Sequence, residues 1–461
     1  WMAGRRSCDH LHDGMGFFTG HNAITIEFEQ VLQLVDPTVT VPYWDYTIDM
    51  HAVREQDKDF RAFYDSGLFA DDWFGPMGKE SDGFVVTGGE TTAYLSVDPV
   101  FWGIPAEELK ITNAYGLLRS PWNTAPAPFL MRSNKTFGFE TTYMSSPRCA
   151  EFYNAMQYTD VKDFQNFASQ NCHGSIHTMI GGAANSNWKQ WANNHEWMPF
   201  YAEAAGLQGF GVHKRMWRTG EHHISCPSTC SADAKPNECA CSCPNLHLDS
   251  MTDEEVRELL HAAVSPDFQL ETTSGKWIGR EFVKLMCGYW PEYAAPHIGD
   301  ALNSGATADP SFWPVHPNID RLFQWRKLQG VTGTEHWPDG ADFHTGFYWG
   351  GGNGETCWGH NPSDVMIWSN LFLDDRLNSQ PYTVRQLFHF MDPASGNLPY
   401  VYDNFVWEHC EAEGYPTGFI GDRDSDAEND EASSWQESSS SHGEPPQDSL
   451  AEGEAAHRRA V

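Results

Sequence analysis

Basic residues are scarce in this chain: 29 Lys and Arg stand against 63 Asp and Glu, a formal net charge of −34 over 461 residues. So little positive charge leaves nothing to neutralise phosphates, which excludes nucleic acid as a partner. The excess of negative charge favours a soluble protein whose copies repel one another. No run of about 18 apolar residues occurs, so no transmembrane segment is expected. A secretory leader is not visible either. The chain opens at Trp1-Met2 and enters a histidine-bearing motif within a dozen residues, as expected of an N-terminally truncated or processed form. Internal repeats are lacking as well. Aromatic residues, by contrast, are plentiful at 14%, with 19 tryptophans, which suits a dense globular core and excludes a wholly disordered chain.

The eleven cysteines are an odd number, and five crowd together at Cys226, Cys230, Cys239, Cys241 and Cys243. Such crowding points to a disulfide-stapled loop formed in an oxidising compartment. A zinc site built from these thiols with His222 and His223 is the alternative, but the spacings match no zinc template. With the glycosylation sequon Asn134-Lys-Thr136, the cysteines place the protein in a secreted or organelle-lumen setting.

Hydrophobic periodicity predicts helices over Ile24 to Leu34, 161–182, Val256 to Val264, Trp277 to Tyr289 and 310–330. The third of these opens on a capping box, Thr252-Asp-Glu-Glu255. Residues 52–160 are rich in Gly, Pro and aromatics and read as loops and short elements. From Gly421 to Val461 the composition turns to Asp, Glu, Ser, Gly and Pro, too polar to offset the entropy of ordering. A disordered acidic tail is expected there.

The chemistry is carried by histidines. His173 and His177 lie four apart in a predicted helix, so both imidazoles project from one face. The flanking Ile176, Met179 and Ile180 are apolar, and Gly181-Gly182 allows close backbone approach. Further on, Asp309-Pro-Ser-Phe-Trp-Pro-Val-His316-Pro-Asn-Ile-Asp320-Arg321 offers a third imidazole. Near the start come His12 and His21. Nine residues apart, they point about 180° from each other on an ideal helix, so the chain has to turn between them, and Gly14, Gly16 and Gly20 allow it. His21 is expected to start the helix that carries Glu29. Val41-Pro-Tyr-Trp-Asp-Tyr46 follows.

These histidines and their flanks resemble the tyrosinase family of type 3 copper proteins, which includes catechol oxidases and molluscan haemocyanins. The resemblance covers about 1–182 and 307–410, closing on the tyrosine motif Pro399-Tyr-Val-Tyr-Asp403. It implies a mainly α fold, with a four-helix core around a dinuclear copper site wrapped by long loops. The family closes the gap between His177 and His316 with far fewer residues, so an inserted Cys-rich subdomain is expected at about 183–306. The copper domain then runs over 1–420, and 421–461 is the tail.

The resemblance further implies His12 and His21 on the first copper and His173, His177 and His316 on the second. Asp320 and Arg321 support the helix behind the metal, and Phe312 packs near a ligand or substrate ring. No catalytic residue beyond the metal ligands is implied. The first copper needs a third histidine, which is either upstream of Trp1 or His10. Cys8 has the placement for a thioether to a histidine and equally for a disulfide. Two copper ions, dioxygen as co-substrate and a small phenolic substrate follow from the resemblance. So does oxidation of o-diphenols to o-quinones, with reversible oxygen carriage or a copper-deficient binding protein as alternatives. The family places an asparagine directly after the first ligand of the second copper. Here that position is Gly174, and the stretch Phe164 to Gln170 has no glutamate. Both departures favour diphenols over monophenols.

Overall fold

The computed structural model describes residues 9–12, 14–87, 95–104, 112–218, 224–263, 269–331, 358–366, 368, 371 and 381–418. The chain divides into two units, Trp1–Phe419 and Ile420–Val461. The second unit, with the expected tail, lies outside the described residues, as do Cys8, His222 and His223.

Helix α1 spans Gly16–Gln33. It begins before His21, which therefore sits in its second turn rather than at its start. The chain turns between the two early histidines ahead of α1, where Gly14 N–H donates to His12 O at 2.8 Å. Gly16 and Gly20 have a different use from turning: a Cβ on Gly16 would lie 2.0 Å from Gly359 O, and one on Gly20 2.9 Å from Leu11 Cδ2.

Glu29 accepts from Thr40 Oγ1 and Val41 N, both at 2.7 Å, and so clamps the approach to the Pro-Tyr-Trp-Asp turn. Asp45 caps α2 (Tyr46–Glu55) by accepting from Thr47 N. A short α3, Arg61–Tyr64, follows. Among the described residues, the region read as loops holds one further proper helix, α4 (Cys149–Gln157), whose buried face is Cys149, Phe152, Ala155 and Met156. These positions have helical spacing and were readable as such.

The helix predicted over 161–182 is three pieces: α5 (Val161–Phe167), a π-helical turn (Ala168–Gly174) and α6 (Ser175–Gly181). Asp160 caps the run by accepting from Lys162 N at 2.8 Å. π turns are rare and tend to occur at functional sites; this one contains His173.

A small sheet of two-residue strands follows the order β2-β1-β3-β4, with β1 Lys135–Thr136, β2 Phe139–Glu140, β3 Ala183–Ala184 and β4 His297–Ile298. Strand β3 pairs parallel to β1 and antiparallel to β4. The segment between β3 and β4 thus leaves and returns at one place. It carries α7 (Trp188–Asn194), α8 (Pro199–Leu207), α9 (Gly209–Arg218), α10 (Asp253–Ala263), α11 (Gly279–Met286) and α12 (Pro291–Ala294). The Thr252 capping box forms, with Thr252 N donating to Glu255 Oε2 at 2.6 Å. The helix predicted from Trp277 is shorter because Trp277 pairs with Glu271 in a β-bridge.

This segment shares a core with residues that precede it. Trp122, Phe137 and Phe139 are buried together with Trp188, Trp191, Trp217, Val256 and Phe282. Its cysteines form Cys226–Cys241, Cys230–Cys239 and Cys243–Cys287 disulfides. The five clustered thiols are therefore bonded, and the zinc alternative has no thiolates left.

The last long helix, α13 (Phe312–Leu328), packs against α1. A second core joins Phe17, Phe18, Tyr46, Met50, Phe152, Phe164, Ile176, Met179, Val315, Ile319, Leu322 and Phe323. The helices bearing His21, His173, His177 and His316 thus converge on one apolar centre, with α2 and α4 beside them. Two fully buried ion pairs, Arg119–Asp300 and Arg132–Asp309, tie the intervening loops to the approach to α13. Cys149–Cys410 ties α4 to the short helix Glu408–Ala412. Among the described residues, no helix is long and apolar enough to cross a membrane.

Candidate metal centre

His173, His177 and His316 come together: one ring nitrogen from each lies within 4.8 Å of the other two. His177 Nδ1 is 2.6 Å from Ala301 O. A carbonyl only accepts, so Nδ1 holds the proton and Nε2 presents its lone pair. That Nε2 faces His173 Nε2 at 2.9 Å, a spacing that needs either a shared proton or a cation drawing both lone pairs. His316 Nε2 and His173 Nδ1 are buried without a hydrogen-bond partner.

His21 donates Nδ1–H to Phe17 O at 2.8 Å, which again leaves Nε2 free. Its ring stacks on that of His316, with centroids 4.3 Å apart and planes 6° from parallel. The His12 ring lies 4.8 Å from His21, and its Nδ1 is 3.1 Å from both carboxylate oxygens of Asp9. The two groups of histidines therefore face each other directly. His10 points elsewhere: its Nδ1 is 2.7 Å from Trp358 O, and its ring lies against the Trp358 ring.

The electrostatics keep the imidazoles of His21, His173, His177 and His316 neutral. Burial, then mutual repulsion among the histidines, holds His21, His173 and His316 well below the ordinary 6.5. Burial brings His177 down to about 4. Neutral imidazole is the form that binds a metal ion. Burial alone would raise Asp9, but the charges of His12, Lys214 and Arg218 outweigh it and hold the carboxyl well below its usual range.

The supporting residues act separately. Asp320 Oδ2 accepts from Tyr400 at 2.6 Å, Tyr402 at 2.7 Å and Gln324 at 2.9 Å, so the tyrosine motif docks onto the third turn of α13. Burial raises Asp320 to about 6. Arg321 does not pair with Asp320. It reaches Asp45 Oδ2 at 3.0 Å and Asn404 Oδ1 at 2.6 Å, with its guanidinium 3.9 Å from the Trp407 ring centroid. Trp44 N–H donates to Pro314 O at 2.9 Å, and Tyr46 hydroxyl to Cys172 O at 2.6 Å. The Pro-Tyr-Trp-Asp turn is thereby stitched to both helices of the His173–His177–His316 group.

Phe312 lies 4.2 Å from the His316 ring centroid. A cavity of about 730 Å³ opens on His12, His21, His173 and His177; Phe312, Gly174, Glu151 and Trp122 also line it, with Gln208, Phe210 and Lys214 of the segment between β3 and β4. Sequence reasoning missed Asp9, Ala301 and this wall from α9. The only local signal was the short Asp9-His10-Leu11-His12 spacing.

Five imidazoles, with no thiolate or carboxylate among the converging atoms, make a donor set that suits copper. The chemistry fits a metal pair held by His12 and His21 on one side and by His173, His177 and His316 on the other. Residues 2–195 match the family model described as the common central domain of tyrosinase. The chain is 39% identical to grixazone synthase of Streptomyces griseus over 77 residues, 17% of this chain and 21% of that protein. To the tyrosinase of Streptomyces galbus it is 35% identical over 85 residues, 18% of this chain and 26% of the relative. A longer, weaker match runs to the tyrosinase of Streptomyces lincolnensis, 24% identical over 213 residues, covering 42% and 68%. The first part of the chain thus resembles the tyrosinase family of type 3 copper proteins, the matched span covering less than half of the 461 residues. Its matches to the first two relatives span only about a fifth to a quarter of their lengths.

Proposed function

We propose that this protein is a copper-dependent oxidase that converts o-diphenols to o-quinones with dioxygen. The observation that carries the reading is the face-to-face placement of the two histidine groups beneath a cavity of about 730 Å³, a size usual for organic ligands. Copper ions held there would supply the redox chemistry, in which two diphenols each give up two electrons and two protons and one dioxygen is reduced to two waters.

The chain's own residues bind, orient and exclude. His21 and His177 are fixed in one tautomer by backbone carbonyls, so their free nitrogens are aimed before any ligand arrives. Phe312 lies against the His316 ring and offers an apolar surface for a phenol. Gly174 borders the cavity without a side chain, so the second site is open from that side. Among the described residues that line the cavity, no free general base for monophenols is found. Glu151 borders the cavity but is held by the Arg148 guanidinium at 2.6 Å and the Arg148 N–H at 2.9 Å. Gln165 is buried with its amide on Gly14 O. An amide does not accept a proton near neutral pH. Diphenols ionise more readily, so they need such a base less.

Initial rates on a catechol and its matched monophenol, on copper-loaded protein of measured metal content, test the reading. Turnover of the catechol with little or none of the monophenol is expected. Equal rates on both would overturn the diphenol preference, and oxygen uptake that reverses fully with no product would make the protein a carrier.

A further inference from the structure

We propose that helix α9, in the segment between β3 and β4, positions a ligand of the first metal site, acting through a buried carboxylate: Lys214 and Arg218 hold Asp9, and Asp9 holds His12. The inference rests on the reading of His12 as a metal ligand. Unlike His21, His173, His177 and His316, His12 lies on a turn rather than a helix, and 40% of its side chain is exposed. Its backbone alone does not aim the ring.

Asp9 supplies what the backbone lacks. The carboxylate is fully buried. Its Oδ1 accepts from Leu11 N at 2.9 Å and His12 N at 3.0 Å, and both oxygens reach His12 Nδ1 at 3.1 Å. One side chain therefore fixes the turn, the ring orientation and the tautomer, with the His12 Nε2 lone pair left for metal. Such carboxylate–histidine pairs raise ligand basicity and hold geometry.

A buried carboxylate needs compensation, and it comes from a helix about 200 residues away in sequence. Lys214 Nζ bonds Asp9 Oδ2, and Arg218 NH2 lies 3.7 Å from the same oxygen. The two cations are four apart on α9, hence on one face, and both are 5% exposed. Lys214 also borders the cavity above the histidines. Helix α9 thus completes the first site as well as walling it.

The test is a competitive copper titration of the full-length protein, wild type against Asp9→Asn, Lys214→Met and Lys214→Arg, read by metal analysis and electron paramagnetic resonance. Wild type should bind two equivalents as a magnetically coupled, silent pair. Fewer than two equivalents would sink the metal-site reading itself, and this inference with it. With two bound, Asp9→Asn and Lys214→Met should weaken one equivalent about 10–100-fold and leave the other unchanged, with the signal of a lone Cu²⁺ appearing. Lys214→Arg should restore the pair. Unchanged binding of both equivalents in Lys214→Met would overturn the proposal, and so would equal weakening of both. Should Asp9→Asn fail to fold, Lys214→Met decides alone, since Arg218 still faces Asp9 in that variant.

Discussion

His177 donates its Nδ1 proton to the carbonyl of Ala301, 2.6 Å away and 124 residues further along the chain. Three glycines make that contact possible. Gly182 has a positive φ of 62°, and Gly299 lies so close to Gly181 that a Cβ on it would sit 2.0 Å from Gly181 O. The loop 299–302 is thereby pressed onto the end of α6, and its carbonyl meets the imidazole.

Gly181→Ala should break this arrangement. The new Cβ would lie 2.6 Å from Leu302 Cβ and Leu302 N, so the loop has to retreat. Overpacking of this kind costs about 1–3 kcal/mol, and loss of the His177 anchor should lower copper affinity at the second site about 10–100-fold. Denaturant unfolding and copper titration measure the two effects. Wild-type affinity in the variant would show that Ala301 does not orient His177.

Acid should destabilise the metal-free protein. His177 is held near 4, and His21, His173 and His316 also lie well below 6.5. The unfolded chain takes up a proton at each near pH 6.5, whereas the folded protein does so only at lower pH. Below 6.5 the unfolded state binds more protons, so stability falls as pH falls. For His177 the window runs from 6.5 down to about 4 and is worth on the order of 3 kcal/mol. Urea unfolding at pH 7.5, 6 and 5 checks this, with His177→Gln expected to flatten the slope. A profile that is level over this range would refute it.

Arg132→Met should cost about 3–5 kcal/mol, the usual result of stranding one member of a buried pair. Arg132 bonds Asp309 Oδ1 at 2.7 Å and Oδ2 at 2.8 Å, and donates to Gly75 O at 2.6 Å. The double variant Arg132→Met, Asp309→Asn should recover part of the loss. Equal losses in single and double variants would show that the carboxylate was not the stranded group.

Reduction of Cys149–Cys410 should weaken the closure of the core. The bond spans 261 residues, and loop-closure entropy over that length is about 5 kcal/mol. Paired Cys149→Ser and Cys410→Ser substitution should lower the thermal midpoint while copper binding at low temperature survives. On the unreduced, denatured wild type at most three thiols should react: buried Cys172, with Cys8 and Cys357 outside the described residues. Five or more would contradict the disulfide assignment.

Local pattern was enough for several of the helices, at the centre and away from it. The four-residue step from His173 to His177, the Thr252 capping box and the apolar spacing of α13 each act within one or two turns, so sequence reveals them. Less legible was the π turn at Ala168–Gly174, because one extra residue in a helical turn leaves no periodic trace over so short a run. The start of α1 was misplaced for a related reason: Gly16 and Gly20 look like breakers, yet the structure uses them for close contact with Gly359 and Leu11.

The sequence by itself determined which imidazoles exist, on which elements they ride and which metal chemistry they suit, since ligand type and helical spacing are local properties. Tertiary structure alone decided how each ring is aimed. Ala301 reaches His177, Tyr400 and Tyr402 reach Asp320, and Lys214 reaches Asp9 across long separations. These contacts depend on how glycine-tight loops and two cores pack together. Many residues set that packing jointly, and no spacing in the chain records it.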